Sequence, residues 1–253
     1  MKYFRSVYAK NPTVSIRAAE RGMRIPYDSG MLTVLGSSSS GNCYLLDVGG
    51  EILVIEVGVD VRELQKALNW DYSRVAGCII SHQHRDHAGG LVKVLKNMGL
   101  CTFCLREVFS AAGVAGHPFA REVQPLHGFH VGGFRIFPVP VPHDVPCLAY
   151  VIEHDGMGRT FFITDAFMCE YRIPGVAHWM VEANYTDEGL GERVLSGTTP
   201  KIVADRVRTT HMSVHTAEQL LAANDLSATE DVLLIHMSED EPEIRTKITH
   251  AQR

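Results

Sequence analysis

The chain has 253 residues, near-average apolar and charged content, and a formal charge of −5 from 24 basic and 29 acidic side chains. That length suits one α/β domain that buries its core without staples; the charge gives no global footprint for nucleic acid, and no apolar run approaches the ~18 residues of a membrane span. The six cysteines, Cys43, Cys78, Cys101, Cys104, Cys147 and Cys169, lack the dense spacing of a secreted disulfide framework, and the amino terminus has no signal-peptide core, so a cytoplasmic location is expected.

Residues 1–30 hold six Lys or Arg against Glu20 and Asp28. They read as a basic extension packed loosely on a single domain over residues 31–253. Thr33–Leu35 and Cys43–Asp47 read as strands around the loop Gly36-Ser37-Ser38-Ser39-Ser40-Gly41-Asn42, and Ile52–Val57 as a strand ending at Gly58. Val61, Leu64, Ala67 and Leu68 share one helical face, Val75–Ile80 is a continuous apolar run typical of a buried strand, and Leu91–Met98 continues as a helix. Cys101 and Cys104 form a lone C-x-x-C around a strand-like Thr102-Phe103, with no second pair at zinc-finger spacing; they read as small buried residues. Strands follow at Phe134–Val139, Ala149–Glu153, Phe161–Thr164 and Trp179–Glu182, then a helix at Thr216–Ala223 and a strand at Val232–Ile235. Strands outnumber helices and the helices are spread along the chain, as two packed mixed β-sheets with outer helices require.

The chemistry concentrates where the strand Val75–Ile80 ends. His82, His84, Asp86 and His87 place four potential ligands within six residues. Imidazole suits zinc, and the carboxylate widens the choice toward manganese. His82 and His84 stand two apart, so in extended backbone they point the same way and grip one ion. Asp86 and His87 follow where the chain turns and can serve a second.

The unbroken His-x-His-x-Asp-His run from His82 to His87 resembles the signature of the metallo-β-lactamase superfamily. Further features stand in family order: His143 in Val141-Pro142-His143-Asp144-Val145-Pro146, Asp165 in Ile163-Thr164-Asp165-Ala166, and His236 after Val232–Ile235. The resemblance implies an αββα sandwich holding two divalent ions, with zinc first and manganese second. His82, His84 and His143 would take one ion, Asp86, His87 and His236 the other, and Asp165 would bridge them. His211 competes with His236, because the His-Met-Ser string at 211–213 recurs at 236–238; a ligand at a strand end favours His236.

Within the superfamily the chain resembles the WalJ/YycJ-type branch, which is related to ribonuclease Z and regarded as DNA-processing. The likeness rests on the serine loop from Gly36 to Cys43, the His143-Asp144 pair before a proline, Glu182-Ala183-Asn184, and the two late His-x-Ser segments. Tyr185 departs from it, standing where the branch commonly has histidine, and leaves the phosphate-side contacts there open. Glu56 stands where superfamily members usually have aspartate, a change beside the ligands. No room remains for a large inserted β-CASP domain, and no long exosite arm is present.

The resemblance implies a phosphodiesterase or exonuclease that cleaves DNA with a metal-bound hydroxide. Asp165 would orient that hydroxide, His211 would stabilise the phosphoryl oxygen or protonate the leaving group, and Glu182 would orient His211. The serine loop could donate hydrogen bonds to a phosphate. The alternative is a small-molecule hydrolase of a lactone, thioester or cyclic phosphodiester, which the net negative charge suits better. A non-hydrolytic role runs against the intact ligand set. His117, His127, His130, His154, His178, His215 and His250 have no spacing that ties them to the cluster and read as surface or packing residues. Oligomeric state is not legible.

Overall fold

A computed structural model describes residues 3–238; His250 lies outside the described residues. The described strands form two seven-stranded mixed sheets, ordered β1-β14-β13-β12-β11-β10-β9 and β2-β3-β4-β5-β6-β7-β8 in chain-order numbering. The chain divides into two compact units, one of residues 20–140 and 148–158, the other of residues 3–19, 141–147 and 159–238.

In the first unit β2 (Arg24–Tyr27), β3 (Gly30–Gly36), β4 (Cys43–Val48) and β5 (Glu51–Ile55) are antiparallel neighbours. From β5 onward β6 (Val75–Ile79), β7 (Thr102–Cys104) and β8 (Ala120–Glu122) add in parallel. β3 alternates, burying Leu32 and Val34, whereas β5 buries Ile52 through Ile55 without a break. That is the contrast between a strand with one covered face and a central strand covered on both. β9 (Phe129–Val131) and β10 (Phe134–Val141) pair antiparallel, and β11 (Cys147–His154) follows.

The Asp60 side chain accepts the Arg62 N–H at 3.0 Å and so starts α2 (Val61–Ala67). After β6 come α3 (Arg85–Ala88) and α4 (Leu91–Lys93). The regular helix expected over residues 91–98 instead widens into a π-helical turn over Val94–Met98, which buries Val94, Leu95 and Met98 before Gly99 ends it at φ 65°. α5 (Arg106–Ala111) completes this unit. Cys104 is buried on β7 while Cys101 is half-buried, and both are free thiols. Three positions apart along extended chain, the two side chains face opposite ways.

In the second unit β1 (Ser15–Ala18), β14 (Asp231–Ile235), β13 (His178–Glu182) and β12 (Gly158–Ile163) run parallel. Every residue of β13 and β14 is buried. The segment expected to pack loosely instead contributes β1 and α1 (Arg5–Lys10), burying Phe4, Val7, Val14 and Ile16. Asn11 Nδ2 donates to the carbonyls of Leu226 (3.0 Å) and Thr229 (2.8 Å), fixing the turn between them. Basic side chains between single apolar positions hid this pattern. His178 is a packing residue, its Nδ1 2.9 Å from Asp231 Oδ2 at the same cross-strand register.

α6 (Asp187–Leu195) and α7 (Lys201–Thr210), not anticipated from the sequence, precede α8 (Val214–Ala223). Leu190 and Ala204 bury against Tyr185, with Val194 and Val207 beside them. Tyr185 is therefore a packing residue of this helical pair. Leu195 and Ile202 are 89% and 80% exposed, so the apolar stripe is narrow and its period is broken. No helix among the described residues is long and apolar enough to cross a membrane.

Candidate metal centre

In the first unit the ligand-type side chains gather at the carboxyl ends of β5 and β6. His82 and His87 are buried, His84 and Asp86 half-buried, and the His82 ring centroid lies 4.7 Å from that of His84 and 4.3 Å from that of His87. His82 Nδ1 is 2.9 Å from Ser81 Oγ. His87 Nε2 is 3.3 Å from Asp86 Oδ2, and its Nδ1 faces Glu56 Oε2 at 3.6 Å. Glu56 is fully buried, takes a left-handed φ of 62°, and accepts the Ser81 N–H at 3.1 Å, so it bridges the two strand ends.

The loop carrying Asp86 is pinned from the serine loop. The Asp86 carbonyl accepts Asn42 N–H at 2.8 Å and Asn42 Nδ2–H at 3.2 Å, and Asn42 Nδ2 also lies 3.2 Å from His87 Nε2. Gly58 N–H donates to the Asn42 carbonyl at 2.8 Å. The Asp86 carbonyl passes so close to Gly58 that a Cβ there would meet the oxygen at 1.7 Å, leaving room only for glycine.

In the second unit Asp165, Glu182, His211 and His236 bring ligand atoms within 4.8 Å of one another. Asp165 follows β12 at φ 47° and His236 follows β14 at φ 50°. Such left-handed residues cost on the order of 1–3 kcal/mol each and cluster at functional sites. Glu182, the buried last residue of β13, accepts the N–H groups of Ala166 (3.0 Å) and Met212 (3.2 Å), while its Oε1 lies 2.6 Å from His211 Nδ1 and 3.3 Å from His236 Nδ1. Burial pushes the Glu182 carboxyl up, but the His211 charge and the hydrogen bonds from both imidazoles outweigh this and hold it below its ordinary range. Burial likewise pushes His211 down, and the Glu182 carboxylate, then Asp165, reverse that to a net rise.

The repeated His-Met-Ser string has two structural meanings. His211 caps the end of α7 and Ser213 starts α8 by accepting the Thr216 N–H, whereas His236 ends a buried strand. His236 is held by Asn184, whose Nδ2 lies 3.2 Å from its Nδ1 and donates to its carbonyl at 2.9 Å. His236 Nε2 faces Asp165 Oδ1 at 3.6 Å. His143 Nδ1 donates to the Thr210 carbonyl at 3.0 Å, and its Nε2 lies 3.1 Å from Asp144 Oδ1, a carboxylate whose Oδ2 is 2.8 Å from Arg206. His215 is exposed on α8 beside Gln219.

One arrangement recurs in each unit. His82, His143 and His236 are engaged through Nδ1, and in the last two Nε2 turns toward a carboxylate, whereas His87 meets Asn42 and Asp86 at Nε2 and its Nδ1 faces Glu56 at 3.6 Å, beyond hydrogen-bond distance. An imidazole anchored at one ring nitrogen keeps the other available to a divalent cation. Asp165 and Glu182 are 2% and 0% exposed; burying two carboxylates together calls for positive charge between them. Sequence reasoning assigned no role to Asn42, Asn184, the Thr210 carbonyl or Arg206. Only the two asparagines left a sign, in Gly41-Asn42 and Glu182-Ala183-Asn184.

Comparison with known proteins agrees with this geometry. Residues 53–237 match the model of the β-lactamase superfamily domain. The exodeoxyribonuclease WalJ of Streptococcus pneumoniae serotype 2 is 20% identical over 174 residues, 62% of this chain and 63% of WalJ, so the match spans less than two thirds of that relative's length. Among solved structures, the metallo-β-lactamase fold protein YhfI of Bacillus subtilis superposes with a TM-score of 0.66 at 19% identity, covering 87% of this chain and 90% of YhfI. The short form of human tRNase Z superposes with a TM-score of 0.59 at 13% identity, covering 83% of this chain and 93% of the enzyme. With its two mixed sheets, their helices and the His/Asp clusters at the strand ends, the chain belongs to the β-lactamase superfamily and has the metallo-β-lactamase fold.

Proposed function

We propose that the two ligand groups serve one binuclear metal centre and that the protein is a phosphodiesterase acting on DNA. The observation that carries this reading is the orientation of three imidazoles: His82, His143 and His236 are anchored through Nδ1, and in the last two Nε2 lies beside a carboxylate. His82, His84 and His143 would hold one ion, Asp86, His87 and His236 the other, and Asp165 both. The imidazole-rich set suits zinc first and manganese second. Bound divalent ions supply Lewis acidity at the phosphate and lower the pKa of a coordinated water. The similarity to an exodeoxyribonuclease and the fold shared with a tRNase Z support a nucleic-acid phosphodiester as substrate.

His211 takes the proton-transfer role. Its side chain is 19% exposed where that of His236 is 2%, so it is open to a substrate. Glu182 Oε1 lies 2.6 Å from Nδ1, which leaves Nε2 for the departing oxygen; burial pushes the His211 pKa down, and the Glu182 carboxylate, then Asp165, outweigh this to raise it, the direction that favours a proton donor. His211→Ala is expected to keep the wild-type metal content while turnover on DNA falls by roughly 10²–10⁴-fold. Substrates that release p-nitrophenolate need little protonation and should be partly spared. Elemental analysis beside steady-state rates decides it: loss of metal from His211→Ala with metal retained in His236→Ala reverses the two roles.

A further inference from the structure

A cavity of about 600 Å³ opens in the first unit, lined among others by Ser39, Ser40, Asp60, Arg85, Asp86 and Lys93. Its volume falls within the roughly 300–1,000 Å³ typical of small-ligand sites. Asp86, one of the ligand-type residues, is shared between the cavity lining and that cluster. Its two cations come from consecutive helices, Arg85 from α3 and Lys93 from α4, and both are exposed. Neither forms an ion pair among the described residues, although Asp60 and Asp86 line the same space. Asp60 is committed to the Arg62 N–H at the start of α2, and Asp86 lies against His87. Glycines 58, 89 and 90 form part of the wall, and a Cβ on any of them would strike backbone within 2.7 Å. The backbone therefore fixes part of the cavity's wall, and a guanidinium and an ammonium group line the same space as a candidate metal ligand.

We propose that this cavity binds a second phosphate of the substrate, the one neighbouring the scissile phosphodiester on a nucleic-acid strand, through Arg85 and Lys93. The assignment rests on the phosphodiesterase reading above. It accounts for two exposed cations lining the cavity with no ion pair to carboxylates among the described residues.

The test uses the full-length, zinc-reconstituted protein and two uncleaved probes, thymidine 5′-monophosphate and thymidine 3′,5′-bisphosphate, titrated calorimetrically. Wild type is expected to bind the bisphosphate about tenfold or more tightly than the monophosphate, the order of one charge-assisted contact. In the Arg85→Gln, Lys93→Gln double variant that ratio should fall to about twofold or less, and in Arg85→Lys most of it should survive. Zinc content and thermal midpoint, measured alongside, show that the double variant is folded. A wild-type ratio near one, or an undiminished ratio in the folded double variant, overturns the proposal. Hydrolysis of bis-p-nitrophenyl phosphate, which has no second phosphate, tests the underlying reading separately. Turnover there without a bisphosphate preference removes the phosphate site alone; a preference without turnover leaves a cavity that binds phosphate but overturns its assignment to a substrate strand together with the hydrolase reading.

Discussion

Asp165→Ala is expected to reduce hydrolysis of any phosphodiester by more than the roughly 10²–10⁴-fold typical of losing one acid–base group. Asp165 is 2% exposed, its Oδ1 faces His236 at 3.6 Å and its Oδ2 faces His211 at 3.8 Å. One carboxylate thus touches both the proposed ligand and the proposed proton donor. Removing it leaves Glu182 as the only acid of that cluster and frees two imidazoles to move. Asparagine is a weaker probe, because its carbonyl oxygen could still hold one ion. Steady-state assays with bis-p-nitrophenyl phosphate and with 5′-phosphorylated DNA give the measurement. Turnover within tenfold of wild type would exclude a bridging role.

The second large effect is expected at a residue with no side chain. Gly58→Ala would drive a methyl group to 1.7 Å from the Asp86 carbonyl oxygen and 2.8 Å from the Asn42 nitrogen. Gly58 has no left-handed φ, so alanine is excluded by the neighbouring chain and not by its own backbone. Relief requires the Asp86 loop to move away, breaking the bonds from Asn42 and displacing Asp86 and His87 together. The expected cost is about 1–3 kcal/mol, read as a fall in Tm of roughly 2–4 °C per kcal/mol for a chain of this size. Metal affinity and activity should fall with it. An unchanged Tm with full metal occupancy would show that the loop is not pinned in this way.

These two residues mark the contrast between what a sequence can suggest and what it cannot. Asp165 was legible because a family signature and a strand end located it. Gly58 read only as a strand stop, since the approach of Asp86 is created by tertiary packing and leaves no local pattern. The central strands were legible from composition: Val232–Ile235 is a continuous, fully buried apolar run, and Val75–Ile79 carries no polar side chain and is buried from Gly77 onward. β1 and α1 were not, because each is short, and their burial depends on partners more than 200 residues away, Asp231–Leu234 for β1 and α8 for α1. α6 and α7 escaped because their buried faces are narrow and large apolar residues lie on the exposed side. At the site, side-chain types and order were readable, whereas the groups that fix each imidazole from behind were not. A peptide carbonyl such as that of Thr210 carries no sequence signal at all.

The most direct test of the central claim is metal stoichiometry by elemental analysis of the purified full-length protein, reconstituted with zinc and freed of loosely bound ion. Wild type is expected to hold two ions per chain, and His84→Ala, lacking one of the half-buried imidazoles beside His82, to lose at least one. One ion or none in wild type, or two retained at full affinity in His84→Ala, would contradict the binuclear centre.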